Sequence, residues 1–261
     1  MCLQDAIKNL EDNDQLPLAL PIAHLTSANW LNQIAEEKMT LKPQYCKVFE
    51  KDLLYFSYGG IFHRPSPGKP RELPIAFMFS PELLQHINYY YPYDTGAAAS
   101  RKYGENWSSE LINFPKYCLK GDFNTPRKLV RYIYGNNHQY LEGNIQQITN
   151  SLPSPLQTIR DFLSLDLTSE GIDHRQCSIE CQTETVVPLT QYLLWVGWPQ
   201  ERLNEFKKLW RNSITEDRPI QLPKIQTYNF HSRFDPKGIA AILEDRAKEA
   251  IVEDYCQFDN T

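Results

Sequence analysis

Short apolar runs and amphipathic segments follow one another along the chain in no regular order. Runs rich in aliphatic and aromatic residues predict β-strands, because such side chains suit a pleated, buried surface. We predict strands at residues 21–25, 53–58, 74–79, 177–182, 192–197 and 225–230. Apolar positions that recur three and four residues apart predict helices. We predict helices after an N-cap at Thr26 or Ser27, from Thr125-Pro126 to Gly135, at residues 154–163 and 199–211, and from Asp235-Pro236 onward.

The apolar faces of these helices identify candidate core residues. They are Trp30, Leu31, Ile34 and Ala35 in the first helix, and Ile239, Leu243, Ala247, Ala250 and Ile251 in the last. Strands and helices interleave irregularly, without the repeat of about 30 residues that parallel β-α-β units produce, which favours an α+β fold over a doubly wound sheet. We therefore expect a single domain over residues 1–261, with residues 1–20 as an N-terminal extension. Its sheet is expected to be mixed or split antiparallel and flanked by helices.

Charge and composition narrow the functional classes. Lys and Arg number 27 against 32 Asp and Glu, so the net charge is -5 and nucleic-acid binding would need a local basic patch. The longest apolar stretches are far shorter than the roughly 20 residues that span a bilayer. The acidic N-terminus does not resemble a signal peptide. The six cysteines are scattered without a C-x-x-C pair, as in a reducing compartment. We expect a cytoplasmic protein with no membrane partner.

One cluster of residues could form a zinc site. His174, Cys177 and Cys181 are the most closely spaced residues of the types that bind zinc. However, strand alternation places Cys177, Ile179 and Cys181 on one face that points into a core. Buried thiols are the better explanation, and we predict no metal site.

Two clusters in the first quarter of the chain contain candidate ligand-binding residues. His24 and Thr26 lie at the end of a predicted strand, and their side chains share one face. Together they can hydrogen-bond an amide or ribose hydroxyls. Tyr55 and Tyr58 precede Gly59-Gly60 and suit stacking on a flat ring, while Arg64 suits a pyrophosphate. The alternative is structural: a core histidine, an N-cap threonine, core aromatic rings and a solvated arginine.

A third cluster lies late in the chain. Strand alternation puts four polar side chains on the face opposite the cysteines, namely Ser178, Glu180, Gln182 and Glu184. Burying a carboxylate costs several kcal/mol unless it is paired, so two carboxylates in one row suggest a function. The alternative is a solvated sheet face.

Taken in order, the three clusters resemble the ADP-ribosyltransferase fold, most closely the bacterial toxins that modify nucleic-acid bases. The segment "HLTSANWLNQI" is similar to the one that holds the nicotinamide end of NAD in those toxins. Glu180, Val187-Pro188 and "YLLWV" are similar to their late glutamate strand, its "VP", and the strand that follows a helix turn. The match covers short pieces at both ends of the chain, and "YFSYGG" departs from the substrate loop of the toxins.

The resemblance implies an NAD-dependent ADP-ribosyltransferase that acts as a toxin or defence effector. Glu180 and Arg64 would then be catalytic, with His24, Thr26 and Tyr55 or Tyr58 holding NAD as the co-substrate. The implied partners are a nucleic-acid or protein acceptor and an antitoxin or other regulatory protein. With water as the acceptor, the same site would be an NAD glycohydrolase.

Several alternatives remain open at this point. Gln182-Thr183-Glu184 matches the Q-x-E triplet of another transferase branch, which makes Glu184 a rival for the catalytic carboxylate. A non-catalytic interaction protein with an α+β fold would explain the 15 Tyr and five Trp as core and partner surfaces. A metal-dependent nuclease could use Glu180, Glu184 and His174, although no spacing specifies a metal site.

Two further segments are candidates for acceptor binding. The tyrosine-rich stretch 87–104 forms either an acceptor-binding loop or an aromatic-capped turn. Residues 116–131 include five basic side chains and one acidic side chain with aromatic residues interleaved, which suits a nucleic-acid backbone or a solvated helix face. The basic residues are Lys116, Lys120, Arg127, Lys128 and Arg131.

Overall fold

A computed structural model describes residues 1–8, 15–62, 73–145, 152–165, 177–213, 222–229 and 236–255. Within these residues the chain is α+β, with one large mixed sheet flanked by helices and a separate two-stranded ladder. The predicted fold class is therefore confirmed at this level. Arg64 and His174 lie outside the described residues.

The strands differ widely in length. They are β1 (Ile22–Ser27), β2 (Thr40–Leu41), β3 (Gln44–Cys46), β4 (Lys51–Tyr58), β5 (Pro74–Phe79), β6 (Tyr89–Tyr91), β7 (Leu119–Lys120), β8 (Glu180–Thr183), β9 (Val187–Pro188), β10 (Leu193–Pro199) and β11 (Lys224–Tyr228). The large sheet has the order β11-β10-β5-β1-β4-β8-β6-β7, with β3 also paired to β4, and β2 pairs with β9. The pair β10 and β11 is parallel, whereas the other described pairs are antiparallel.

The helices connect and cover these strands. They are α1 (Leu3–Lys8), α2 (Leu31–Glu36), α3 (Thr95–Ala99), α4 (Glu105–Leu111), α5 (Phe114–Tyr117), α6 (Thr125–Ile133), α7 (Asn137–Leu141), α8 (Ser154–Leu163), α9 (Leu189–Tyr192), α10 (Leu203–Ser213) and α11 (Pro236–Tyr255). Short 3-10 turns cover Ala28–Trp30, Pro81–His86 and Gln200–Arg202. No helix of the described ranges has both the length and the apolar character that crossing a bilayer requires.

Local apolar spacing predicted most of the long elements correctly. All six residues of β5 are buried, as its continuous apolar run predicts for a strand covered on both faces. The predicted stripe of α11 is buried from Ile239 to Ile251, and this helix packs against β5. The prediction that Trp30 is a core residue is wrong. Trp30 lies in the 3-10 turn that precedes α2, and its side chain is half exposed. The strand predicted at 177–182 begins only at Glu180.

The start of the chain packs against the rest of the structure. Leu3, Ala6 and Ile7 of α1 are buried, and α1 contacts α8 and β7. The Gln4 side-chain oxygen also accepts a hydrogen bond from the Lys120 backbone N–H at 2.7 Å. Within the predicted extension 1–20, this first helix therefore contributes to the hydrophobic core.

Gly59, directly after β4, has a backbone conformation that suits glycine. Its φ is +67°, and a methyl group there would lie 2.8 Å from side-chain carbons of both Leu20 and Tyr140. We expect Gly59→Ala to lower the free energy of unfolding by about 2 kcal/mol or more, because backbone strain and a steric clash add. Gly104→Ala is the matched control for denaturant unfolding, since Gly104 has φ +75° and open space around it. An equal decrease in the free energy of unfolding in the two variants would contradict a steric clash at Gly59.

Candidate functional site

The large sheet splits between β1 and β4. Strand β1 pairs with β5 along all six of its residues, but it pairs with β4 only at Ile22↔Tyr58 and Ala23↔Ser57. The opposite edge of β4 pairs with β8. Strands β1 and β4 therefore diverge after Ala23, and a cleft of about 540 Å³ opens on this part of the sheet.

Four parts of the chain line this cleft. The floor includes β1, β4 and Glu180 of β8. One wall is the β3–β4 hairpin, where Tyr45 and Val48 are exposed. A second wall is the segment 94–102, which contributes Thr95 and Lys102. Segments far apart in the sequence thus form a single concave site.

The strand register determines which side chains lie beside Glu180 in the sheet. Glu180 lies opposite Ser57 of β4 on one side and opposite Tyr91 of β6 on the other. Residues that face each other across antiparallel strands point to the same face, so these three side chains form a row across the sheet. Glu180 is only 7% exposed although it lines the cleft. The sheet therefore presents one deeply seated carboxyl group.

Three hydrogen bonds hold this carboxyl group. Oε2 accepts from the Thr95 backbone N–H at 3.0 Å, while Oε1 accepts from the Thr95 hydroxyl at 2.7 Å and from Gln182 Nε2 at 2.6 Å. Burial, together with the nearby Asp94 carboxylate, raises the pKa of Glu180 to about 8, and the hydrogen bonds from Thr95 and Gln182 oppose that rise. Glu180 thus changes its charge close to neutral pH, which is unusual for a carboxyl group and typical of functional sites.

His24 occupies the split itself. Its Nδ1 lies 2.8 Å from the Tyr55 carbonyl oxygen, and its ring packs on Phe56 with 5.6 Å between ring centroids. Because a carbonyl oxygen can only accept, Nδ1 must carry the proton of this hydrogen bond. The imidazole therefore bridges β1 and β4 where their backbone pairing has stopped, at the edge of the cleft.

Tyr55 also lines the cleft and is half-buried. Its hydroxyl donates to Cys46 Sγ at 2.8 Å, which ties β4 to the hairpin wall. Burial raises the pKa of the Tyr55 hydroxyl, so the ring stays neutral. The structure thus brings the predicted residues His24, Tyr55 and Glu180 to one cleft, although they lie on three different strands.

Glu184 has a different environment from Glu180. It is exposed, accepts from Lys51 Nζ at 2.7 Å and from the Tyr89 hydroxyl at 3.0 Å, and does not line the cleft. The hydrogen bond from Lys51 holds the pKa of Glu184 below its usual value. The alternative of a solvated sheet face thus describes Glu184, but it is wrong for Glu180 and Gln182, which are buried.

The other predicted ligand-binding residues either do not line the cleft or lie outside the described residues. The interpretation of Tyr58 as a stacking ring is wrong: its side chain is fully buried, its hydroxyl accepts from the Leu20 backbone N–H at 2.9 Å, and it packs on Tyr140. Thr26 is half-buried and does not line the cleft. The predicted contribution of Arg64 falls outside the described residues.

The segment 94–102 lies within the stretch 87–104 that the sequence offered as an acceptor-binding loop or a turn, but its helix α3 and its contact with Glu180 were not predicted. The Asp94 side chain accepts from the Ala97 backbone N–H at 2.7 Å and thereby caps α3. An aspartate before a short alanine-rich run is the sequence signal for such a cap. That signal locates the helix, but it carries no information about the strand on which the helix start will dock.

Two other candidate features are explained by internal contacts. Lys116 pairs with Glu110, and Arg127 donates to the Pro17 carbonyl oxygen at 2.7 Å, so these two cations of the 116–131 stretch hold the structure together. Cys181 is buried, as the core interpretation predicts. The described ranges contain no group of three side chains placed to hold a metal ion.

Comparison with family models, with curated proteins and with solved structures finds no match to this chain.

Proposed function

We propose that this protein has an ADP-ribosyltransferase-like fold and acts as an NAD-dependent ADP-ribosyltransferase, passing ADP-ribose to a macromolecular acceptor. The supporting observation is the meeting of three clusters that are separate in the sequence. Strands β1, β4 and β8 are neighbours in the sheet, and they carry His24, Tyr55 and Glu180 to one cleft.

The order of elements after Glu180 also favours this function. Strand β8 is followed by Val187–Pro188, a short helix and the buried strand β10. This is the succession of glutamate strand, "VP", helix turn and strand on which the resemblance rests. The glutamate strand thus has both the local motif and a position beside the cleft.

The chemistry assigned to the chain is charge stabilisation. When the N-glycosidic bond of NAD breaks, nicotinamide leaves with the bonding electron pair and the ribose becomes an oxocarbenium-like cation. Ionised Glu180 stabilises that developing charge and accepts from the ribose 2′-hydroxyl, an interaction that strengthens in the transition state. His24 and Tyr55 hold the nicotinamide end. The acceptor then attacks C1′ and loses its proton.

Nicotinamide release by the purified full chain tests the proposal directly. We expect NAD to raise the melting temperature and to be consumed, with nicotinamide as one product. Free ADP-ribose as the other product would identify water as the acceptor and hence a glycohydrolase. Neither binding nor consumption, tested with and without nucleic acid and protein extracts as acceptors, would overturn the transferase and favour a non-catalytic interaction protein.

Lys102 is the cation that the described residues contribute to the cleft. Because its side chain is exposed and carries no ion pair there, we expect it to contact the diphosphate of the ligand. Lys102→Met should weaken ADP-ribose binding about fivefold and leave nicotinamide binding unchanged. Calorimetric titration measures both, with Lys208→Met as the control for an exposed lysine on α10. Equal ADP-ribose affinities in the two variants would contradict this role.

A further inference from the structure

We propose that the first turn of α3, through Thr95 and Asp94, positions the Glu180 carboxyl group and controls its ionisation. This inference rests on the proposed function, in which ionised Glu180 meets the ribose. Thr95 and Asp94 are positioning residues in this account, since they act on the ligand through Glu180.

Thr95 holds both oxygens of Glu180 at once. Its backbone N–H bonds Oε2 and its hydroxyl bonds Oε1, at 3.0 and 2.7 Å. Two contacts from one residue to the two oxygens of a carboxyl group fix the plane of that group as well as its position. Thr95 is itself almost fully buried, so its own side chain has little freedom to move.

Gln182 donates the third hydrogen bond to the Glu180 carboxyl group. Its Nε2 donates to Glu180 Oε1 at 2.6 Å, and it lies 3.4 Å from the Thr95 hydroxyl oxygen. A carboxylate offers about four acceptor positions, and these three bonds leave one position for a ligand hydroxyl. The arrangement therefore presents a single, directed acceptor to the cleft.

Asp94 acts in the opposite sense to Thr95. Asp94 directly precedes Thr95, whose backbone bonds Glu180, and it lines the same cleft. Its carboxylate is fixed by the cap on α3 and places a negative charge there, which disfavours the ionised form of Glu180. The other titratable groups around Glu180 are Tyr55 of β4, Tyr91 of β6, Tyr93, the adjacent Cys181 and, from the cleft walls, His24, Cys46 and Lys102. Burial raises the pKa of the three tyrosines and of the Cys181 thiol, so they stay neutral and Asp94 supplies the main opposing charge.

Three substitutions separate these contributions. Thr95→Val keeps the shape and the backbone N–H but removes the hydroxyl, Thr95→Ser retains the hydroxyl, and Asp94→Asn removes the charge while Asn still caps a helix well. The readout is the pH profile of kcat and KM for nicotinamide release. Thr158→Val is the control, because Thr158 lies half-buried on α8, outside the cleft, with its hydroxyl bonded to the Ser154 carbonyl oxygen.

The expected shifts have opposite signs. Thr95→Val lowers kcat at pH 7 about tenfold and moves the acid limb of the profile to higher pH, because a bond to the ionised form is lost. Thr95→Ser restores both, while Asp94→Asn moves the acid limb to lower pH and raises kcat at pH 7. A fall in melting temperature without any movement of the acid limb, or movement in the same direction in Val and Asn variants, would overturn the inference.

A direct titration distinguishes failure of this inference from failure of the proposed function. The carboxyl-carbon NMR resonance of Glu180 is assigned by its absence in Glu180→Gln and followed against pH without any ligand. We expect its midpoint to rise in Thr95→Val and to fall in Asp94→Asn even if the protein never consumes NAD. Unchanged midpoints would overturn the inference whatever the catalytic result.

Discussion

Glu180→Gln is expected to reduce nicotinamide release from NAD by at least about a hundredfold. The substitution keeps the shape of the side chain and its place beside Thr95, but it removes the negative charge that the oxocarbenium-like transition state requires. Removing one preorganised electrostatic group from a transition state typically costs a factor of about 10² to 10³ in kcat. Chromatographic measurement of nicotinamide at saturating NAD gives kcat for each variant.

Glu184→Gln provides the matched control. Glu184 directly follows β8, four residues after Glu180, but it is exposed, pairs with Lys51 and lies outside the cleft. We expect this variant to retain activity within about twofold, since a surface ion pair contributes at most about 1 kcal/mol of stability. Loss of activity in Glu184→Gln with retention in Glu180→Gln would move the catalytic assignment to the Q-x-E triplet.

The same Glu180→Gln substitution is expected to stabilise the fold at alkaline pH. The pKa of Glu180 is about 8 in the folded protein and 4.5 in an ordinary glutamate. Between these values the folded state holds a proton that the unfolded state releases, so the stability of the unmodified protein falls as pH rises through this window. Glutamine does not titrate, and the variant avoids that loss.

The predicted gain therefore depends on pH. It is absent below about pH 4 and reaches about 4 kcal/mol above pH 8, or roughly 10 °C in melting temperature for a chain of this size. Denaturant unfolding at pH 4 and pH 8.5 measures it, and Glu184→Gln, whose carboxylate is stabilised by Lys51, shows no such gain. A variant less stable than the unmodified protein at pH 8.5 would contradict the raised pKa of Glu180. This measurement needs no ligand, so it tests the burial of the carboxyl group independently of the reaction.

Apolar spacing in the sequence correctly predicted the fold class and most long elements. Strand β5 and helix α11 were predictable because a continuous apolar run and a periodic stripe are local signals. Shorter elements were missed. Strand β6 and helix α3 lie in a tyrosine-rich segment whose residues take their structure from pairing with β8 and from docking onto Glu180.

The candidate site was predictable only in part. Alternation along β8 placed Glu180 and Glu184 on one face, and no local feature separated them. His24 and Tyr55 line the cleft, whereas Tyr58 points away from it, because Tyr55 and Tyr58 are three residues apart on a strand and so lie on opposite faces.

The sequence by itself determined which segments form long strands and helices, and which side chains share a strand face, since both follow from the short-range geometry of the backbone. Only the tertiary structure decided which carboxyl group is buried and what surrounds it. That outcome depends on the register of β4, β8 and β6 and on the docking of α3, which join residues up to 129 positions apart. Desolvation and the charge of Asp94 act on Glu180 only after those distant segments have met.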